Sequence, residues 1–211
     1  MPKTKPFDEN LIEYEQWFVD HFFVFQSELN ALRKAIPPIG TGVEIGIGSG
    51  IFALPLGITE GVDPSLAVRK KAKERGIYPM DGVAEKLPYP DKSYDFSLMV
   101  TTICFVDDIM QSFKEVHRIL KKEGKFIIGF VDKNSTVGKN YLENKNKSLF
   151  YKDAIFYSTK EVYRYLRVTG FKIDMTWQTV FGALNEIVEV QEPKKGYGKG
   201  SFVAIKASKH E

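Results

Sequence analysis

The segment VEIGIGSG, residues 43–50, constrains the fold of this chain more than any other stretch. A short apolar run with the character of a strand leads directly into Gly46, Gly48 and Gly50, which alternate with other residues. Glycine permits turns that are closed to other residues and lets a ligand approach the backbone closely. We therefore expect a strand that ends in a ligand-binding turn, with the carboxylate of Glu44 inside the strand.

Strand-like and helical patterns alternate along the rest of the chain. Apolar residues at helical spacing predict one helix from about Leu11 to Ile36, which the following prolines end. Short apolar runs then alternate with amphipathic stretches as far as Asp132, which indicates βαβ units and a mostly parallel sheet. A capping-box pattern at Ser158 and Glu161 begins a later helix, and two more strand-like runs follow it.

Several elements have predicted boundaries. The helix after the second strand has Pro64 just inside its start and Gly76 as its stop. The next helix is predicted over residues 107–124, because its acidic start and basic end suit the helix dipole. The segment 94–100 is predicted as the fourth strand, and the apolar run KFIIGFVD as a fifth that is buried on both faces.

A carboxylate at the end of the second predicted strand, Asp63, complements the glycine turn. In doubly wound sheets, ligands bind at the carboxyl ends of the strands, and an acid in this place is suited to accept hydrogen bonds from both hydroxyls of a ribose. A dinucleotide-binding fold uses G-x-G-x-x-G, but the sixth position counted from Gly46 is Ile51. This spacing argues against a nicotinamide-dependent dehydrogenase.

Composition excludes several other classes of protein. The formal net charge of +3 is too small to indicate a nucleic-acid partner. The single cysteine, Cys104, excludes an internal disulfide, and together with the lack of a recognisable leader it favours a cytoplasmic location. No apolar run approaches the roughly 20 residues that a membrane span needs.

Residues 43 to about 132 resemble the class I S-adenosylmethionine-dependent methyltransferases, in the ubiquinone/menaquinone-biosynthesis-like branch (methyltransferase type 11). The segments VEIGIGSG and GVDPS resemble its first two strand ends. AEKLPYPDKSYDFSLMV is similar to its link between the third and fourth strands, and SFKEVHRILKKEGKFIIG to its next helix and fifth strand. The resemblance implies S-adenosyl-L-methionine as the cofactor and a methyltransferase as the activity.

Together, the element order and the resemblance imply an α/β fold of three layers. The sheet is expected to be doubly wound, seven-stranded, mostly parallel and Rossmann-like, with an antiparallel last strand, an N-terminal helix and a lid insertion. We divide the single domain into an N-terminal helical cap (1–38), a cofactor-binding core (39–132), a lid (133–160), and a C-terminal helix with strands (161–211).

The resemblance also implies a set of cofactor-binding residues. Gly46, Gly48 and Gly50 are expected to make room for the methionine part of the cofactor, Glu44 to support this turn and face the amino end, and Asp63 to bind the ribose. The other residues implied are Pro64 and Ser65 beside the adenine, Val83, Ala84 and Glu85 in the loop along its edge, Thr101 facing both ligands, and Tyr14 at the sulfonium or carboxylate.

Two departures from the family pattern concern the cofactor. Val83 stands where the family has an acid, so a side-chain bond to the adenine amino group is not expected, and Asp81 lies too far back to replace it. The segment between Gly50 and Asp63 is short, which predicts a stubby first helix with Pro55 near its end.

Methyl transfer from a sulfonium requires little catalytic machinery. The enzyme has to hold the acceptor at about 3–3.5 Å and exclude water. A general base is needed only if the acceptor keeps its proton. No metal site is predicted, and His21, His117, His210 and Cys104 are expected to be structural or exposed.

The segment 133–160 is long and rich in aromatic residues, which predicts a lid over the acceptor pocket. We expect Phe150, Tyr151 and Tyr157 to line that pocket and Asp132 to face it. The candidate catalytic residues are therefore Tyr14, Asp132, Tyr151 and Tyr157. An extra packing layer without substrate contact is the alternative for the lid, and an aromatic stripe packed on the core is the alternative for Tyr14.

The sequence thus predicts a methyltransferase that acts on a small molecule by in-line transfer to an N, O or C acceptor, as a monomer or homodimer. An RNA or protein methyltransferase is an alternative, although the chain has neither a strong basic field nor a recognition domain. The other alternative is an accessory protein that binds the cofactor but is catalytically silent. Val83 favours this alternative, whereas Glu44 and Asp63 argue against it.

Overall fold

A computed structural model of the protein describes residues 3–210, so residues 1, 2 and 211 of the predicted domain lie outside it. Eight strands form one sheet in the order β3-β2-β1-β4-β5-β8-β6-β7. Their bounds are β1 Gly42–Ile45, β2 Glu60–Asp63, β3 Tyr78–Asp81, β4 Tyr94–Val100, β5 Leu120–Val131, β6 Phe171–Thr179, β7 Lys194–Lys195 and β8 Phe202–Lys209. Strands β1 to β5 are parallel, and β8 lies antiparallel between β5 and β6.

Helices cover both faces of the sheet. They are α1 Lys5–Glu9, α2 Leu11–Asp20, α3 Phe22–Ala35, α4 Leu66–Glu74, α5 Ile109–Ile119, α6 Thr136–Glu143 and α7 Thr159–Val168. Neighbouring residues of β5 point to opposite faces: Ile128 packs with α5 and α7, whereas Ile127 packs with α3. The predicted three-layer, doubly wound α/β fold with an antiparallel last strand is therefore confirmed. None of the helices within residues 3–210 is long and apolar enough to cross a bilayer.

The N-terminal helix was predicted as one element, and this prediction is wrong. Helix α2 ends at Asp20 and α3 begins at Phe22, because His21 leaves the helical conformation with φ −113° and ψ 42°. The imidazole stacks on Trp17 at 4.6 Å between ring centroids, and its Nδ1 lies 3.0 Å from the Trp17 carbonyl oxygen. The break lets α3 pack on the sheet while α2 crosses the glycine turn.

Other boundaries also shift for tertiary reasons. Pro64 precedes α4 rather than lying inside it, because Ser65 is the N-cap and accepts a hydrogen bond from the Val68 amide. Helix α5 ends at Ile119, five residues earlier than predicted, because the buried Leu120 pairs with Tyr94 of β4. The eighth strand is the short β7, which pairs with the edge of β6.

Several predicted elements are present as expected. Strand β4 has the predicted bounds. The capping box of α7 is formed, since the Ser158 side chain accepts from the Glu161 amide and the Glu161 carboxylate accepts from the Ser158 amide. The stubby first helix is reduced to a single 3₁₀ turn at Leu54–Leu56.

Candidate active site

The glycine turn after β1 has a left-handed backbone at each of its glycines. Gly46, Gly48 and Gly50 have φ of 70°, 54° and 78°. A Cβ on Gly46 would overlap the Thr102 side chain, and one on Gly50 would overlap Ile77. Only at Gly48 would a Cβ point towards the cavity, 3.1 Å from the Tyr14 hydroxyl. The turn therefore needs glycine mainly for packing within the protein.

Asp63 ties the turn to the end of β2. Its Oδ2 accepts a hydrogen bond from the Gly48 amide at 2.9 Å, and its Oδ1 accepts one from the Ser65 amide at 2.8 Å. Burial raises the pKa of Asp63 to about 6, although both amide hydrogen bonds lower it. Because a carboxylate oxygen accepts more than one hydrogen bond, each retains capacity for a ligand hydroxyl.

These groups border a cavity of about 340 Å³ at the carboxyl ends of the strands. This volume lies in the range of small-molecule sites. Most of the predicted cofactor-binding residues line it: Tyr14, Gly46, Gly48, Asp63, Pro64, Ser65, Val83, Ala84, Glu85 and Thr101. We call the part of the wall formed by Gly46, Gly48, residues 63–65, residues 82–85 and Thr101 the glycine side.

Two predicted residues do not line the cavity. Gly50 packs against Ile77 and only shapes the turn, contrary to the expectation that it makes room for the cofactor. Glu44 is 1% exposed, and its Oε2 has no hydrogen-bond partner among residues 3–210. Burial, and then the charge of Asp63, raise the pKa of Glu44 well above its ordinary value.

In the loop at residues 82–85, Val83 occupies the position where an acid would be expected to bind the adenine amino group. The carboxylate of Asp81 pairs with Arg69 at 2.6 Å and is not a lining group, so it does not replace the missing acid. The Glu85 carboxylate accepts hydrogen bonds from the Asp107 and Asp108 amides at 2.7 and 3.1 Å. The loop thus lines the cavity while this side chain holds the start of α5.

Another part of the wall is mainly aromatic. We call it the aromatic side, and it consists of Trp17, Phe18, Glu28, Phe52, Val131, Tyr141 and Tyr151. Tyr151 stacks on Tyr141 and on Phe105, with ring centroids 4.8 and 5.9 Å apart. Burial raises the pKa of Tyr151 well above its ordinary value. This wall can hold an apolar or cationic ligand frame.

Tyr14 and Phe150 lie where the two sides meet. Phe150 contacts Tyr14 at 6.1 Å between ring centroids, and Tyr14 contacts Phe18 at 5.3 Å. Burial, and then the charge of Asp63, raise the pKa of Tyr14 above its ordinary value. The phenol therefore stays protonated, and its hydroxyl is suited to donate a hydrogen bond rather than to accept a proton.

Helix α1 was not predicted, although it covers the cavity. Phe7 contacts the rings of Tyr14, Phe105 and Phe150 at 5.2 to 5.6 Å. The Asp8 carboxylate accepts a hydrogen bond from the Ser65 hydroxyl at 2.6 Å, which fastens α1 to the start of α4. Phe7 was the sequence feature that could have indicated a helix over the cavity, but the prolines around it hide the helical pattern.

Two candidate catalytic residues do not face this cavity. The Asp132 carboxylate accepts hydrogen bonds from the amide and hydroxyl of Thr159 and from the Asn134 amide, at 2.6 to 2.8 Å. It holds the start of α7, and the expectation that it faces the acceptor pocket is wrong. Tyr157 borders an adjoining cavity of about 20 Å³, which shares Tyr141 and Tyr151 with the larger one, and burial raises the pKa of Tyr157 to about 12.

The cysteine and histidines have structural surroundings. Cys104 donates to the Thr101 carbonyl oxygen at 3.1 Å, and burial raises the pKa of the thiol to about 12. The ring of His117 contacts Phe171 edge-on, and its Nε2 lies 3.2 Å from the His210 carbonyl oxygen. Within residues 3–210, no group of three or more His, Cys, Asp or Glu side chains is placed to hold a metal ion.

Comparison with known proteins agrees with this geometry. The "Methyltransferase domain" family matches residues 43–128. The crystal structure of a SAM-dependent methyltransferase from Thermotoga maritima, described as a possible histamine N-methyltransferase, is similar with a TM-score of 0.95 and 48% identity, over 98% of this chain and 99% of that one. An uncharacterized protein of Methanocaldococcus jannaschii is 44% identical over 96% of this chain and 98% of its own length.

A ubiquinone/menaquinone biosynthesis C-methyltransferase of Rickettsia akari is 50% identical over 44 residues, which is 21% of this chain. Fold, site and relatives together define an S-adenosylmethionine-dependent methyltransferase. The chain belongs to the class I enzymes of this kind, and its cofactor is S-adenosyl-L-methionine.

Proposed function

We propose that this enzyme methylates a small organic molecule that binds on the aromatic side of the cavity. The supporting observation is that one cavity is bordered both by the glycine turn with Asp63 and by Trp17, Tyr141 and Tyr151. A donor and a small acceptor bound there would be neighbours. The net charge of +3 offers no strong attraction for a polynucleotide.

The glycine side has the groups that the cofactor requires. Asp63 would accept hydrogen bonds from the ribose hydroxyls, and residues 83–85 would face the adenine. Tyr14, placed between the two sides, would direct its hydroxyl and ring face to the methionine end. When bound, the cofactor supplies a methyl group that is already activated by a sulfonium.

The protein would then contribute position and exclusion of water. Helix α1 and the segment 133–160 approach each other above the cavity, where Phe7 contacts Phe150 at 5.5 Å between ring centroids. We propose that this segment is a lid, although it is more ordered than a loop because it contains α6. Aromatic cover of this kind keeps an acceptor at attack distance and lowers the local dielectric.

The test combines binding with transfer. Calorimetry with S-adenosylmethionine precedes an assay of labelled methyl transfer to amines, phenols, quinols and carboxylates, with histamine among the amines because of the description of the Thermotoga maritima protein. We expect a methylated small molecule. Transfer to RNA or protein alone, or cofactor binding without transfer to any acceptor class, would contradict the proposal and favour one of the two alternatives.

A further inference from the structure

Glu28 is an acid that the fold itself does not use. It lies in the middle of α3, is 5% exposed and borders the cavity. Within residues 3–210, its carboxylate makes no hydrogen bond and no ion pair. The adjacent Ser27 shows the contrast, because its hydroxyl donates to the Phe23 carbonyl oxygen and accepts from the Gln191 amide.

The other acids on the cavity wall have structural partners. Asp63 accepts hydrogen bonds from the Gly48 and Ser65 amides, and Glu85 holds the start of α5. Within residues 3–210, no backbone amide and no cationic side chain pairs with the Glu28 carboxylate. A buried carboxyl group without a partner destabilises a fold, whereas an apolar residue here would extend the surrounding core. This observation points to a ligand as the missing partner.

The surroundings of Glu28 define the chemistry of that ligand. Tyr141 on α6 and Tyr151 in the following connection lie close enough for a charge on Glu28 to raise their pKa, and they are the titratable groups that face it. Trp17 and Phe18 complete the wall. Lys3 is the basic side chain among the described lining residues. Its charge acts to lower the pKa of Asp107 and of Cys104, not that of Glu28. A carboxyl group among aromatic faces is suited to a cationic nitrogen.

We propose that Glu28 binds the methyl acceptor and that this acceptor carries a protonated nitrogen, as an amine or imidazole does, on a small apolar frame. The inference rests on the proposed function and adds the residue that selects the acceptor. The aromatic side holds the frame of the molecule, and the Glu28 carboxylate accepts hydrogen bonds from its N–H groups. Because a protonated nitrogen has no lone pair, an amine that is methylated at this nitrogen first transfers one proton to the Glu28 carboxylate and then attacks as the free amine. Burial raises the pKa of Glu28 to about 8, and a bound cation would restore the charged form.

The decisive variant is Glu28→Gln, which keeps the shape and removes the charge. The matched control is Glu13→Gln, an exposed acid on α2 that does not border the cavity. The probes are phenethylamine and histamine, each compared with 2-phenylethanol and phenylacetate, in the labelled-methyl assay. Calorimetry measures binding of the same probes to protein loaded with S-adenosylhomocysteine.

We expect wild type and the control to bind and methylate an amine probe, and Glu28→Gln to lose about 10- to 100-fold in affinity and in kcat/KM, the range of a charge-assisted hydrogen bond. The affinity of the variant for S-adenosylhomocysteine should stay unchanged, which shows that it is folded. Its midpoint of thermal unfolding should rise by several degrees, because a neutral amide replaces the buried acid.

Three results would overturn the inference: undiminished amine methylation by the variant, wild-type activity confined to the alcohol or the carboxylate, or weaker binding of S-adenosylmethionine with unchanged binding of its neutral product. The last would assign Glu28 to the sulfonium. Failure of the proposed function has a different signature, since wild type would then methylate no small molecule in the panel.

Discussion

The glycine side of the cavity uses backbone amides and residues that are close in sequence, whereas the aromatic side is assembled from distant side chains. On the glycine side, Asp63 joins the ends of two adjacent parallel strands through the Gly48 and Ser65 amides. On the aromatic side, Glu28 and Tyr151 meet across most of the length of the chain. In the first construction the acid is hydrogen-bonded to the backbone, and in the second the acid has no partner among residues 3–210.

The largest expected effect comes from removing Asp63, the acid that joins the glycine turn to the end of β2. Asp63→Ala should weaken S-adenosylmethionine binding by about 100-fold or more, because the ribose loses its acceptor and two amides lose theirs. Calorimetry measures this loss. Asp81→Ala is the control, since that acid ends the neighbouring β3 outside the cavity. Equal affinity in the two variants would contradict the role of Asp63.

A second substitution tests whether packing against Ile77 is the reason that the turn needs glycine at position 50. Gly50→Ala should lower the free energy of unfolding by about 2–4 kcal/mol, because a strained φ adds to overlap with Ile77. Gly57→Ala is the matched control: its φ of 72° is similar, but no atom lies within 4 Å of the added Cβ. Urea denaturation should show about 1–2 kcal/mol for the control. Equal losses of unfolding free energy in the two variants would mean that the Ile77 side chain can move aside at no energetic cost.

The third prediction uses the pH dependence of stability on the aromatic side. The folded protein binds the Glu28 proton more tightly than the unfolded chain, since burial raises the pKa from 4.5 to about 8. This acid therefore destabilises the fold increasingly as pH rises from about 4.5 to about 8. Glu28→Gln should be more stable than wild type by on the order of 2 kcal/mol at pH 7, and equal to it below pH 4.5.

Urea denaturation at pH 4 and pH 7 measures this difference, with Glu13→Gln as the exposed control. A stability difference that does not depend on pH would show that Glu28 has the same pKa in the folded and the unfolded protein, and a pH dependence of opposite sign would show that it is charged and paired in the fold. Either result would remove the contrast between the two sides.

The smallest expected effect concerns the cover over the cavity. Phe150→Ala should reduce kcat/KM for the acceptor about 10-fold, because its ring packs on both Phe7 and Tyr14 in the cover of the cavity. Cofactor affinity should stay within about threefold of wild type. The control is Leu149→Ala, whose side chain is half exposed. A parallel loss of cofactor affinity would place Phe150 on the glycine side instead.

Sequence reasoning was accurate where neighbours along the chain determine the structure. Strand β4, the Ser158 capping box and the glycine turn with Asp63 follow from local patterns. It was wrong where a distant contact overrides the pattern. The break at His21 and the early end of α5 before Leu120 are of this kind, because packing on the sheet competes with helical propensity.

The sequence alone predicts the α/β class, the cofactor and the place of Asp63 beside the glycine turn, because parallel strand ends place such motifs at one edge in chain order. Only the tertiary structure decided which side chains meet across the cavity. Asp132 turns away to hold α7, Phe7 closes the site, and Glu28 is left unpaired against Tyr141. The contacts of Phe7 with Phe150 and of Glu28 with Tyr141 join segments over a hundred residues apart, and packing, not local pattern, sets their positions.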